Sequence, residues 1–120
     1  EKNKLFLDLY NANPSSMKLA IEDFISGKPE EMVILGDMKE LGGFSEEKHA
    51  EILNILSNKG VKLVFLAGEE FYKHKDDFEF NFFRNTGELL DEINKIKPSD
   101  KHIFIKGSRS MRLERLTDFL

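Results

Sequence analysis

Val61-Lys62-Leu63-Val64-Phe65-Leu66-Ala67, closed by Gly68, is the stretch whose reading decides the fold. A short apolar run rich in β-branched and aromatic residues, punctuated by Gly60 and Gly68, is the pattern of a strand buried on both faces. Such a strand needs covering layers on each side, and the flanking sequence supplies them. Upstream, His49, Ile52, Leu53 and Leu56 recur at helical spacing. Ser45 stands before them as a helix cap, Glu46 and Glu47 occupy the first turn where the helix dipole favours negative charge, and Gly60 ends the helix. Residues 32–35, set between Pro29 and Gly36, repeat the buried-strand pattern and lead into a glycine-rich loop over residues 36–44. Residues 5–9 read as a first strand. Asn13-Pro14 then opens a helix on which Met17, Ala20, Ile21, Phe24 and Ile25 share one face, with Gly27 at its stop.

Downstream of the central run, residues 68–77 are ambiguous and hold at most one short helix, and residues 80–83 suit a fourth strand. Thr86 caps a helix carrying Leu89, Leu90, Ile93 and Ile96, which stops before Pro98. Residues 102–106 form the last strand, residues 107–110 a loop, and Leu113, Leu116 and Leu120 suit a final helix. Strand then helix, repeated four or five times, predicts an α/β fold in three layers: a mostly parallel sheet with helices on both faces. No internal repeat, low-complexity tract or linker divides the chain, so residues 1–120 are expected to form a single domain, as the length of 120 suits.

Composition removes several function classes. Hydrophobic residues at 40% and charged residues at 33% belong to a folded domain with a core, not to a disordered tail. Eleven Phe and no Trp predict that Phe fills much of that core. A formal net charge of -4 with mixed signs argues against nucleic acid as the partner. The absence of cysteine excludes disulfides and thiolate chemistry and fits a reducing, cytoplasmic setting. No apolar run approaches the roughly 20 residues of a membrane-spanning helix, and the charged opening Glu1-Lys2-Asn3-Lys4 lacks the apolar stretch of a secretion signal. Because it opens on Glu1, the chain is expected to be a piece of a longer protein.

Ligands of parallel sheets bind beyond the carboxyl ends of the strands, which directs attention to three turns. The first, residues 8–17, holds Asp8, Tyr10, Asn11 and Asn13 at a helix start. An acid can grip ribose hydroxyls, amides can hold phosphate or carboxylate oxygens, and free helix N–H groups favour anions. The second is Gly36-Asp37-Met38-Lys39-Glu40-Leu41-Gly42. The third, Lys106-Gly107-Ser108-Arg109-Ser110-Met111-Arg112, sets a lysine, hydroxyls and guanidiniums around a glycine, a grip suited to a carboxylate or phosphate. Each turn also has a plain structural reading: a helix cap, a glycine-rich connection and a solvated basic turn, respectively. His49 reads as a helix-face residue without a ligand, and His74 and His102 as ordinary surface or strand-start residues, since no His or Cys stands at metal-ligand spacing. The Phe-rich residues 78–83 read as core or sheet edge. A triphosphate loop, a Gly-x-Ser-x-Gly elbow and a Gly-x-Gly-x-x-Gly fingerprint are all missing.

Together and in order, three strings make a more specific pattern than any one. They are Asp8-x-Tyr10-Asn11-Ala12-Asn13-Pro14-x-Ser16-Met17, then Leu35-Gly36-Asp37-Met38-x-Glu40-Leu41-Gly42 with Ser45 and His49, then Lys106-Gly107-Ser108-Arg109-x-Met111-Arg112-Leu113-Glu114. The chain resembles the C-terminal domain of the Mur ligases over nearly its whole length. Its Tyr-Asn-Ala-Asn-Pro string favours the members that add D-alanyl-D-alanine to UDP-N-acetylmuramoyl-tripeptide over their sister ligases. The resemblance implies a Rossmann-like domain of a three-domain ligase whose N-terminal and central domains lie outside this chain. It implies ATP and Mg2+ held mainly by the central domain, activation of the substrate carboxylate as an acyl phosphate, and amide formation with the incoming dipeptide in peptidoglycan precursor synthesis. By matching, Asp8, Tyr10, Asn11 and Asn13 are expected near ATP. Asp37, Met38, Lys39, Ser108, Arg109 and Ser110 are expected beside the dipeptide, Arg109 pairing with its carboxylate. No catalytic or metal-ligating residue is assigned to this chain, which is expected to be inactive alone and to bind ATP weakly.

Other readings use the same layout. A phosphoacceptor receiver module would employ Asp8 and Lys106 but also needs an aspartate after the third strand, where Leu66-Ala67-Gly68-Glu69 stands. A sister Mur ligase or a non-catalytic remnant would share the fold. The ligase reading requires that all three turns lie on one rim of one sheet.

Overall fold

The computed structural model describes residues 2–120; Glu1, part of the charged opening, lies outside the described residues. Five strands are present: β1 (Lys4–Asp8), β2 (Glu31–Gly36), β3 (Leu63–Ala67), β4 (Asn81–Phe83) and β5 (His102–Lys106). Between them run α1 (Pro14–Phe24), α2 (Ser45–Lys59), a single-turn α3 (Glu69–Tyr72) and α4 (Thr86–Ile96). Short 3-10 helices span Gly42–Phe44, Arg109–Met111 and Leu113–Phe119.

The sheet order is β1-β5-β2-β3-β4, and every neighbouring pair is parallel. Parallel crossovers have a nearly fixed right hand, so the direction of travel along the sheet decides which face a connecting helix covers. The chain moves one way through β1, β2, β3 and β4, then returns from β4 to β5, so α1 and α2 fall on one face and α4 on the other. Side chains alternate along the strands to meet both layers. Val33, Leu35, Val64 and Leu66 pack with Met17, Ile21, Ile52 and Leu56, while Met32, Ile34, Phe65 and Ala67 pack with Leu89, Ile93, Leu113 and Leu116. That accounts for the unbroken apolar runs of the central strands.

Local chemistry sets the helix ends. Asn13 Oδ1 accepts from Ser16 N–H at 2.9 Å, and Ser16 Oγ accepts from Asn13 N–H at 3.3 Å, a reciprocal cap with Pro14 just inside it. Gly60 closes α2 at φ 75°, a left-handed conformation that glycine adopts without a Cβ penalty.

Several expectations shift. Ser45 does not cap α2; it is the first helical residue, and its hydroxyl bonds Glu70. Asn85, not Thr86, caps α4, leaving the Thr86 hydroxyl to donate to the Met111 carbonyl at 2.6 Å. Helix α1 ends at Phe24, so Ile25 sits in the cap position, because the Glu31 carboxylate draws the Ser26 and Gly27 amides out of helical register. The final helix is of the 3-10 type, which suits the three-residue step between buried Leu113 and Leu116. Phe contributes much of the core, largely at its margins: Phe65, Phe71 and Phe104 are buried and Phe24, Phe78, Phe80, Phe82 and Phe83 pack against it partly buried, whereas Phe6, Phe44 and Phe119 are exposed. His74 is buried, not a surface residue. Among the described residues no helix is long and apolar enough to cross a membrane.

Leu66 is fully buried on the strand between β2 and β4. Leu66→Ala is expected to lower unfolding stability by about 3 kcal/mol, read as a reduced urea midpoint at unchanged slope.

Candidate functional site

The carboxyl ends of β1, β5 and β2 lie side by side, because Asp8 is in register with Lys106, and Lys106 with Leu35. The three turns therefore share one rim. The chain leaves β5 into 3-10 helices packed on the α4 face, whereas β1 and β2 lead into α1 and α2 on the opposite face. Neighbouring strands whose outgoing chains diverge in this way leave a crevice between them. Here the outgoing chains part on each side of β5, and a cleft opens on its β2 side.

On the β1 side the central group is Lys106. Its side chain is 2% exposed, and its ammonium donates to Asp8 Oδ2 at 2.5 Å and to the Asn11 carbonyl at 2.8 Å. A buried ammonium must be compensated; the two acceptors do so and tie the first turn to the third, a link reinforced by the Gly107 amide donating to the Asp8 carbonyl. Tyr10 is 74% exposed, and the Arg109 guanidinium lies 4.9 Å from its ring centroid, a cation–π contact. Asn11 and Asn13 are exposed, with Asn13 Oδ1 engaged in its cap. Half-buried Ser108 and exposed Ser110 bond each other through their hydroxyls at 3.0 Å.

On the β2 side an open cleft of about 760 Å³ is lined by Lys39, Glu40, Glu69, Arg84, Ser110 and Arg112, among others. Its wall is set by buried polar groups. The Asp37 carboxylate, 1% exposed as a residue, accepts from the Glu70 and Phe71 amides at 2.8 and 3.0 Å and so caps α3. Gly68 is required at this point: a Cβ there would lie 2.2 Å from the Asp37 carboxyl carbon, and its φ is +129°. His49 is fully buried; its Nδ1–H donates to the Ser45 carbonyl at 2.8 Å, and its Nε2 accepts from the Met38 amide at 3.0 Å. These partners demand the neutral ring with the proton on Nδ1. Burial pushes the imidazole below its ordinary value, which agrees, and burial pushes the Asp37 carboxyl above the usual carboxylate range against the pull of its two amide donors. The Ser45 hydroxyl and Lys73 hold Glu70 below the usual range.

Of the expected dipeptide residues, Asp37, Met38, Lys39 and Ser110 line the cleft, Lys39 and Ser110 with exposed side chains. The Asp37 and Met38 side chains turn inward, Met38 into the core, because the amides of α3 and the α2 packing surface take them up. Arg109 stands over Tyr10 on the β1 side, and both it and Ser108 lie outside the cleft lining. Arg84, Arg112 and Arg115 line the cleft and escaped the sequence reading as separate features. Together with Lys39 they have no ion-pair partner among the described residues. Only Arg112 belonged to a turn already singled out. No group of three or more His, Cys, Asp or Glu that could hold a metal ion stands together among the described residues.

A parallel sheet wound on both faces, with ligand crevices at the carboxyl ends, defines a Rossmann-like α/β binding domain. Its strand order differs from the 2-1-3-4-5 arrangement of receiver modules, so that alternative falls despite the paired Asp8 and Lys106. The chain belongs to the family described as Mur ligase, glutamate ligase domain, whose model matches residues 1–109. It is 32% identical over 126 residues to the UDP-N-acetylmuramoyl-tripeptide–D-alanyl-D-alanine ligase of Rickettsia prowazekii, covering 99% of this chain and 28% of that one. The Bacillus subtilis ligase of the same name is 32% identical over 118 residues, covering 91% of this chain and 26% of its own length. Among solved structures, MurF from Acinetobacter baumannii superposes with a TM-score of 0.80 at 25% identity, covering 97% of this chain and 27% of that one. MurF ligase from Thermotoga maritima in complex with ADP shares the fold with a TM-score of 0.76 at 23% identity, covering 96% and 27%. This chain thus spans about a quarter of the length of the relatives it matches.

Asp8→Ala strands the buried Lys106 ammonium. An expected loss of about 2 kcal/mol in urea unfolding lies below the usual range for a broken buried pair, because water reaches Asp8. Adding Lys106→Met should restore most of that loss, since no buried charge then remains.

Proposed function

We propose that this chain is the C-terminal, substrate-closing domain of a three-domain, ATP-dependent ligase that adds D-alanyl-D-alanine to UDP-N-acetylmuramoyl-tripeptide in the cytoplasm, during peptidoglycan precursor synthesis. The observation that carries the reading is the rim around β5, with an exposed aromatic ring on its β1 side and, on its β2 side, a cleft whose arginines have no ion-pair partner among the described residues. In support, the relatives named above carry the name of the UDP-N-acetylmuramoyl-tripeptide–D-alanyl-D-alanine ligase and align along nearly the whole chain.

On the β1 side, Tyr10 presents a flat face, Asp8 keeps oxygen surface open to solvent, and Asn11 and Asn13 border the α1 start. These residue types fit a nucleotide's ribose and phosphates. ATP, when bound, supplies the phosphoryl group that activates the tripeptide carboxylate. The side chains here hold and orient; the triphosphate loop and Mg2+ belong to the central domain outside this chain. Closure of the rim over that domain would exclude water from a hydrolysable acyl phosphate.

The β2-side cleft suits the dipeptide. A zwitterion brings a carboxylate and an ammonium, and the cleft offers Arg84, Arg112, Arg115 and Lys39 to the first, with Glu40 and Glu69 for the second. A guanidinium grips a carboxylate through two parallel N–H bonds, so the arginines in the cleft take the carboxylate. Arg109, stacked on Tyr10, serves the nucleotide side.

In the complete protein, phosphate release should require ATP, UDP-N-acetylmuramoyl-tripeptide and D-alanyl-D-alanine together, and single amino acids should not replace the dipeptide. Release with D-glutamate or a diamino acid instead would move the protein to a sister ligase, and no release with any of them would make it a remnant. Arg84→Gln and Arg115→Gln should each raise the dipeptide KM about tenfold, the worth of one charge-assisted hydrogen bond. Arg109→Gln should raise the ATP KM more than the dipeptide KM. The reverse pattern would return the carboxylate to Arg109. Calorimetry on these 120 residues alone should detect no submicromolar ATP binding.

A further inference from the structure

His49 is fully buried and outside the cleft lining, yet three segments meet around it. Its Nε2 accepts from the Met38 amide at 3.0 Å and its Nδ1–H donates to the Ser45 carbonyl at 2.8 Å. The Phe71 ring of α3 meets the imidazole edge-to-face at 4.5 Å, and Asp37 Oδ1 lies 3.9 Å from Nε2. Asp37 in turn holds the first amides of α3, and the Ser45 hydroxyl donates to Glu70 at 2.7 Å. Two of the segments that line the cleft, the turn after β2 and helix α3 after β3, thus hang on one ring. The next residue after Met38 is Lys39, whose side chain reaches the cleft.

We propose that His49 is a positioning residue for the incoming dipeptide: as a neutral acceptor it fixes the turn that presents Lys39 and locks that turn to α3. The proposal rests on the ligase reading of the cleft. A proton on Nε2 would turn the acceptor into a donor facing the Met38 N–H, so the turn must let go when the ring is charged. The charged and titratable groups around the ring are Asp37 after β2, Glu70 on α3 with its partner Lys73, His74 in the turn after α3, and Lys39 acting through Asp37. Burial outweighs the two carboxylates and depresses the imidazole, so the brace holds at neutral pH and fails as pH falls through a value below the ordinary one of about 6.5.

The test uses the complete protein with His49→Leu and His49→Gln. Leu keeps bulk without an acceptor; the Gln carbonyl can accept from Met38 N–H and does not titrate. His49→Leu should raise the dipeptide KM about tenfold at pH 8, the effect of one orphaned buried amide, with the ATP KM changed less than about twofold. His49→Gln should recover most of that loss. In the wild type the dipeptide KM should climb as the medium is acidified, and in His49→Gln that climb should be absent. Hydrogen exchange of residues 37–41 in the same proteins should be faster in His49→Leu and restored in His49→Gln. An unchanged dipeptide KM in folded His49→Leu, an equal rise for ATP, or a wild-type acid climb in His49→Gln would overturn the assignment. If His49→Leu does not fold, the pH profile of His49→Gln decides. Absence of ligase activity in the wild type defeats the reading of the cleft, while the exchange data still judge the brace.

Discussion

Outgoing chains that part to opposite faces of a parallel sheet cannot fill the space above the strands they leave. In this protein β5 stands in that relation to both of its neighbours, because the connection from β4 returns across the sheet with the same hand as the forward crossovers. The cleft on its β2 side is a consequence of strand order. The strand ends beside it are close: Gly36 and Gly107 approach each other so that a Cβ on Gly107 would lie 3.3 Å from the Gly36 Cα and 2.6 Å from a Leu113 methyl. Bulk at either position would push apart the turns that carry the polar side chains.

The rim is rigid for an electrostatic reason. Lys106, Asp37 and His49 are buried polar groups at the top of an apolar core, where an unpaired donor or acceptor is expensive. Each is paired: Lys106 with Asp8 and Asn11 and Asp37 with the α3 amides across long sequence separations, and His49 with Met38 and Ser45 closer by. Such pairings tolerate few alternative arrangements, since any slip leaves a charge or an amide without a partner. The exposed side chains above them, Tyr10, Lys39, Arg84 and Arg112, are then presented from fixed backbone. Preorganisation of this kind lowers the entropic cost of holding a ligand.

Buried strands, helix faces and their order were legible because each depends on short-range periodicity. Val64 and Leu66 against Phe65 and Ala67 report two buried faces within one heptapeptide, and Asn13-Pro14 reports a helix start within two residues. What misled was competition for the same side chain. Ser45 and Thr86 have the chemistry of caps, but partners distant in sequence, Glu70 and Met111, claimed their hydroxyls. Asp37 and Met38 stand in a motif that matches a substrate loop and line the cleft, but their side chains are buried.

The sequence by itself determined the class of fold, the carboxyl-end turns and the family pattern they spell, because strand burial, turn chemistry and motif order are properties of neighbouring residues. Only the tertiary structure decided which side chains of those turns face a ligand. It paired Lys106 with Asp8, turned Arg109 onto Tyr10, and brought Arg84 and Arg115, from segments without a motif, into one cleft with Lys39. The physical reason is that a side chain's direction at the rim is set by which buried donors and acceptors need it, and those lie tens of residues away.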